Sequence, residues 1–291
     1  MTAQTLFLSN SAAGTAEDGL VADIEVILGA GFDLTSAHPT TPDAMEQVVR
    51  SFRGDQVIIA GGDGSLHLLL NVLADLGRLH DLAVGLVPLG TGNDFAAGLD
   101  IPEDPVAAAR GYLDAAAQPM DLIAANDGER VVNAAHAGLG AVAAHKAQAA
   151  KQVAGRMAYP LGAIAAAATE DGYDVELVLD GVAISKGPML MVLAANGPCL
   201  GGGARLCVGA DPADGQIDVL VIEELPLHER AGLGIDIQRG THLDRDDVHQ
   251  WQGHRLTISG QPIDHNRDGE LRYGLDDVTY TIQRAAWHLL R

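Results

Sequence analysis

The chain has 291 residues, 47% hydrophobic and 20% charged, enough to bury a sizeable core and comfortable as two domains. Its formal net charge of −21, from 18 basic against 39 acidic residues, argues against nucleic acid and against a polybasic grip on an anionic membrane. Two cysteines are too few for a disulfide framework, no apolar run nears the roughly 20 residues that span a bilayer, and no signal-peptide pattern opens the chain; a soluble cytoplasmic protein is expected.

Over residues 1–125 strands and helices alternate. Strands are expected at 5–9, 32–37, 57–60 and 84–87, with helices over 17–30, 42–52 and 66–76 between them. That alternation predicts a mainly parallel sheet covered on both faces, whose ligands lie beyond the carboxyl ends of its strands. From about residue 126 the pattern changes. Strands are expected at 175–179, 189–194, 217–222 and 256–259, punctuated by Asp180-Gly181, Asp214-Gly215 and Asp268-Gly269. One helix pair is expected over 140–169, and the half from 126 to 277 reads as a mostly antiparallel β-sandwich or flattened barrel. Residues 278–291 are free to rejoin the first domain.

Two short segments carry most of the chemistry: Gly61-Gly62-Asp63-Gly64-Ser65 and Gly90-Thr91-Gly92-Asn93-Asp94. Each follows an apolar run, as a buried strand does when it empties into a tight turn. Glycines there remove the Cβ atoms that would hold an anion away, and free N–H groups form a phosphate cradle. Asp63 and Asp94 supply the hard oxygen ligands that a phosphate-bound Mg²⁺ takes. No lysine follows a glycine in the pattern GxxxxGK[ST], so a Walker-type loop is absent. The three histidines His242, His249 and His254 fit no zinc spacing and read as part of a solvated loop or helix. Gly138 to Ala143 matches a dinucleotide fingerprint only weakly.

These segments together resemble the diacylglycerol kinase catalytic domain family, which includes bacterial lipid kinases and sphingosine kinases. Asn10-Ser11-Ala12-Ala13-Gly14 is similar to its first nucleotide loop, Asn133 to Gly138 to its N-x-x-x-x-G segment, and Ala195-Asn196-Gly197-Pro198 with Gly201 to Gly203 to its ANGP segment. Asp268-Gly269-Glu270 matches its DGE segment. The resemblance covers nearly the whole chain. It implies an NAD-kinase-like α/β nucleotide domain followed by a β-rich domain, and transfer of the ATP γ-phosphate to a hydroxyl of diacylglycerol or a related lipid. ATP would be held by Asn10, Ser11 and Gly14, by Thr40, by Gly61, Gly62, Asp63, Gly64 and Ser65, and by Gly90, Thr91 and Asn93. Mg²⁺ would be held through Asp63 and Asp94. Asp268 or Glu270 would act as general base on the acceptor hydroxyl. A second, structural Mg²⁺ is implied at Asp211, Asp214 and Gln216. By themselves, an Asp-Gly hairpin turn accounts for Asp268-Gly269 and an ordinary turn for Asp214-Gly215.

Three residues depart from the family pattern. Ser11 replaces its proline, no basic residue follows Gly14, and Leu68 stands where bacterial members carry a glutamate. The acidic surface leaves two alternatives to a lipid kinase: a kinase of a soluble alcohol or polyol, and a nucleotide-binding regulatory protein without turnover. A homodimer and transient contact with the inner membrane face stay open.

Overall fold

The computed structural model describes residues 2–9, 15–139, 141 and 171–291, and the chain divides into two compact units, Met1–Asp121 with Ala285–Arg291 and Leu122–Arg284. The expected helix pair over 140–169 and the loop at 10–14 lie outside the described residues.

The first unit contains β1 (Gln4–Ser9), α1 (Thr15–Gly29), β2 (Asp33–Ala37), α2 (Pro42–Ser51), β3 (Gln56–Gly61), α3 (Asp63–Asp75), β4 (Ala83–Pro88), α4 (Asp94–Gly98) and α5 (Pro105–Gly111). β2, β1, β3 and β4 lie side by side in that order and all run parallel. Leu6, Phe7, Leu8, Val57, Ile58, Ile59, Val84 and Leu86 are all buried, which is why these strands read as unbroken apolar runs rather than as alternation. α2 shows how the local sequence sets an element. Thr41 caps it by accepting the Ala44 N–H at 3.2 Å, Pro42 occupies its first turn, and Arg50 faces the negative end of its dipole. Because the chain steps from β1 outward to β2 and then back across to β3, the strand order reverses beside β1. Ligand crevices of such sheets open at that point, beyond the strand carboxyl ends.

β5 (Ala117–Ala125) leads into the second unit, which holds β6 (Arg130–Val131), β7 (Ala134–Gly138), β8 (Tyr173–Leu179), β9 (Val182–Ala195), β10 (Cys199–Leu200), β11 (Ala204–Arg205), β12 (Ile217–Glu223), α6 (Leu227–Arg239), β13 (Val248–Gly253) and β14 (Arg255–Arg267). The last strand, β15 (Glu270–Leu290), begins in this unit, and its final residues belong to the first, where His288 and Leu289 pair in parallel with Ala83 and Val84. The pairings β13–β12–β9–β7–β14–β15 are antiparallel. Side chains of β12 alternate between two cores: Ile217, Val219 and Val221 join one, Leu220 and Ile222 the other. A sheet buried on both faces explains the unbroken apolar reading of these strands as well.

The structure adds two features to the expected pattern. α6 had no place in it, and the strand expected at 256–259 extends to thirteen residues. The histidine reading needs correction. His242 is fully buried with its Nε2 at 2.8 Å from the Leu206 carbonyl oxygen, and His249 lies on β13, so neither belongs to a solvated loop. Gly138 has a packing reason: its φ is +79° and a Cβ would come within 2.5 Å of the Leu190 carbonyl oxygen.

Candidate active site

In the first unit the two glycine segments leave the carboxyl ends of β3 and β4 and pack on one another. A Cβ on Gly62 would lie 2.9 Å from the Gly90 Cα, and one on Gly90 would lie 2.6 Å from the Gly62 Cα. Real Cβ atoms do not approach that closely, so both positions demand glycine. Gly61 does too, because a Cβ there would strike the Ser65 side chain. The Leu89 N–H donates to the Gly61 carbonyl at 2.9 Å and closes the pair of turns.

Asp63 fastens the second segment. Its Oδ2 accepts the Asp94 N–H and its Oδ1 the Phe95 N–H, each at 3.0 Å, at the start of α4. A Cβ on Gly92 would stand 3.4 Å from Asp63 Oδ2 and 3.8 Å from Asp94 Oδ2, so both carboxylates border that glycine. Asn93 takes the left-handed conformation, φ 52°, and its Nδ2 donates to the Gly90 carbonyl at 2.9 Å. Its buried Oδ1 has no partner among the described residues. Gly62 opens α3 without a side-chain cap, the Ser65 N–H turns back to the Gly62 carbonyl at 3.0 Å, and the positive end of the helix dipole favours an anion at this end. Gly64 and Thr91 are exposed at this mouth. Thr40 is exposed in the loop between β2 and α2, and Leu68 is half-buried on α3. Asn10, Ser11 and Gly14 lie outside the described residues, directly after the carboxyl end of β1.

In the second unit three separated segments meet through backbone hydrogen bonds. The Asp268 carboxylate accepts the Val132 N–H at 2.6 Å and the Asn133 and Ala134 N–H groups at 2.9 Å. The Asp268 N–H returns to the Ala134 carbonyl at 3.0 Å. Asn133 Nδ2 donates to the Cys199 carbonyl and Asn196 Nδ2 to the Val132 carbonyl, both at 2.8 Å. A Cβ on Gly197 would collide with Asn133 Oδ1. The N-x-x-x-x-G, ANGP and DGE segments are therefore one network. Asp268 and Gly269, with φ of 50° and 100°, form the two-residue left-handed turn between β14 and β15, and Glu270 stands exposed just past it.

Sequence reasoning missed the buried polar groups behind this turn. His136 sits on β7 opposite Asn266, whose Oδ1 accepts the Gly269 N–H at 2.8 Å. Burial pushes the His136 imidazole down to about 4, although the nearby Asp268 charge opposes the shift. Burial, with Arg267 and His136 nearby, takes His265 down to about 3. Arg267 is fully buried, with Nη1 donating to Asp127 at 2.6 Å and to Glu129 at 2.7 Å. The available signal was polar residues inside an otherwise apolar strand, which the short motifs overshadowed.

The loop at Asp211, Asp214 and Gln216 is occupied by turn chemistry. Asp211 Oδ1 accepts the Ala213 N–H at 3.0 Å, Asp214 Oδ1 accepts the Gln216 N–H at 2.8 Å, and the Arg284 Nε donates to the Gly215 carbonyl at 3.1 Å. Among the described residues no three His, Cys, Asp or Glu side chains gather to hold a metal. The Arg284 guanidinium thus stands against the Gly215 carbonyl of this loop.

Over 99% of the chain the fold resembles a putative diacylglycerol kinase from Bacillus anthracis, with a TM-score of 0.83 at 22% identity and 97% of that chain covered. It also resembles an NAD kinase from Archaeoglobus fulgidus solved in complex with ATP, with a TM-score of 0.53 at 11% identity over 99% and 94% of the two chains. These likenesses define an NAD-kinase-like fold. Residues 4–125 match the diacylglycerol kinase catalytic domain, and residues 133–288 match the YegS C-terminal NAD kinase beta sandwich-like domain. A diacylglycerol kinase of Bacillus subtilis is 30% identical over 83% of this chain and 80% of its own length. A probable YegS-like lipid kinase of Pseudomonas putida is 32% identical over 87% and 83%. The chain belongs to the diacylglycerol kinase family.

Proposed function

We propose that the chain transfers the γ-phosphate of ATP to a hydroxyl of diacylglycerol or a related lipid. The observation that carries this reading is the pair of glycine turns in mutual contact at the ends of β3 and β4, fastened by Asp63 to the start of α4. Gly61, Gly62, Gly64 and Ser65, with the uncapped start of α3, would hold phosphate oxygens, joined by Gly90, Thr91 and Asn93. Asn10, Ser11, Gly14 and Thr40 would complete the nucleotide site. The unpartnered Asn93 Oδ1 and the carboxylates on either side of Gly92 are a donor set of the hard-oxygen kind that Mg²⁺ takes, with Asp94 and the remaining capacity of Asp63 as ligands. Mg²⁺ bound there would offset phosphate charge. Catalysis of this kind rests on positioning and charge neutralisation, with a carboxylate of the Asp268-Gly269-Glu270 segment taking the acceptor proton.

The names of the relatives support a lipid acceptor. The net charge of −21 favours a second reading, a soluble alcohol or polyol, because it repels anionic bilayers. Purified protein with labelled Mg-ATP, offered a micellar panel of diacylglycerol and other hydroxylated lipids beside soluble polyols, separates the two. Label in lipid is expected. Label in polyol alone would support the second reading, and tight ATP binding without transfer would leave a regulatory protein.

A further inference from the structure

We propose that Arg50, Arg53 and Arg78 form a second anion site, which takes a phosphate group at the end of the first unit's sheet opposite the glycine turns. The three guanidiniums, with Leu76 and Asp81, line a cavity of about 360 Å³.

They converge there from two helix ends. Arg50 lies in the last turn of α2, Arg53 just past it, and Arg78 just past the end of α3. The Arg78 side chain is only 15% exposed and forms a wall, whereas Arg50 and Arg53 are exposed at the rim. In a chain of net charge −21, three guanidiniums around one hollow reverse the local sign. Asp81 is the one carboxylate lining the hollow among the described residues, 3.6 Å from Arg78 Nε and mostly exposed.

Capping helix carbonyls is the simpler duty of these side chains, and it does not use them up. Arg78 Nη1 donates to the Val49 carbonyl, and Arg53 Nη1 donates to the Arg50 and Phe52 carbonyls at 2.6 and 2.9 Å. Arg50 Nη2 pairs with Glu46 on the exposed side of α2, where water screens the pair. These contacts take four of the roughly fifteen N–H donors that three guanidiniums carry. The Nε and Nη2 of Arg53 and the Nη2 of Arg78 have no hydrogen-bond partner among the described residues.

The free donors suit phosphate, whose oxygens a guanidinium fork meets two at a time. Three positive charges outweigh Asp81 and two helix ends of about half a negative charge each. A neighbouring cavity of about 350 Å³ shares Arg53 but has Asp33 in its wall, so it suits an anion less. β3 begins at Gln56, three residues after Arg53, and ends at Gly61, so the hollow and the glycine turns stand about 20 Å apart. A ligand in the hollow leaves the nucleotide turns free, and its binding is independent of the kinase reading above. The phosphate group arrives either free in solution or on a lipid headgroup.

The test titrates the full chain with inorganic phosphate at constant ionic strength, in the presence of a saturating non-hydrolysable ATP analogue that occupies the glycine turns. Calorimetry and melting temperature are the readouts. Arg50→Gln/Arg53→Gln should bind phosphate about 10-fold more weakly or worse and lose the rise in melting temperature that bound phosphate gives wild type. Arg110→Gln/Arg239→Gln removes two exposed arginines from the last turns of other helices and should keep both. If the first pair does not fold, Arg50→Gln alone, which touches no helix carbonyl, should show the same weakening in smaller measure. Sedimentation with phosphatidylcholine vesicles, plain or carrying phosphatidic acid, separates the sources. Retention on phosphatidic acid that Arg50→Gln/Arg53→Gln abolishes would assign a lipid headgroup, and phosphate binding without retention would assign a free anion. Wild type that takes up neither probe would overturn the site. So would phosphate affinity and vesicle retention equal in wild type and Arg50→Gln/Arg53→Gln, or a melting shift that chloride reproduces.

Discussion

At the scale of single residues, glycine is a geometric requirement in some places and a convenience in others. A Cβ on Gly62 or on Gly90 would run into the Cα of the other, whereas a Cβ on Gly64 would meet nothing within 4 Å. Gly90→Ala is expected to destabilise by about 1–3 kcal/mol through overpacking and to weaken ATP binding. Gly64→Ala should leave thermal stability equal or slightly raised, because it lies inside α3. Melting curves of the two variants side by side make the comparison. Buried His136 sets a pH dependence. Its folded value of about 4 lies below the ordinary 6.5, so the unfolded chain binds more protons between those limits. The stability from keeping it neutral is complete above pH 6.5 and is lost as pH falls toward 4. At about 1.4 kcal/mol per pH unit the loss approaches about 3 kcal/mol. His265, at about 3, extends the loss further down. Urea midpoints measured between pH 4 and pH 8 should fall on the acid side, and His136→Gln should flatten that slope.

At the scale of elements, what the sequence made legible followed from burial and punctuation. Strands at 57–60 and 84–87 stood out because unbroken β-branched runs ending in glycine have few other readings, and the structure extends each by only a residue or two. α6 was hidden because Gly232 and Gly234 interrupt its interior and no side chain caps its start, so its markers are confined to its ends, Glu229 in the first turn and Arg239 with Gly240 at the last. Of the candidate site, the glycine turns were legible as local signals. The joining of Asp268 to residues 132–134 was not, since backbone hydrogen bonds across more than 130 residues leave no spacing to read. Arg267 belongs to the same class: fully buried at the end of β14, it ties the turn between β5 and β6 through Asp127 and Glu129. Arg267→Met should cost about 3 kcal/mol, by leaving Glu129 half-compensated in a buried setting. Denaturant midpoints of the variant will show it, with the Arg272 to Glu129 pair limiting the damage.

At the scale of the whole molecule, two facts pull in different directions. Family membership and the names of the relatives favour a lipid acceptor. A net charge of −21 disfavours residence on an anionic surface, and among the described residues no helix is long and apolar enough to cross a membrane. These fit together if the enzyme meets its lipid transiently. The most direct measurement supplies labelled Mg-ATP with a total lipid extract and a mixture of soluble polyols in one reaction, followed by partition between chloroform and water. The account predicts label in the chloroform phase, in a lipid that carries a new phosphate monoester. Label confined to the aqueous acceptors, or none at all from a protein that binds ATP, would contradict it.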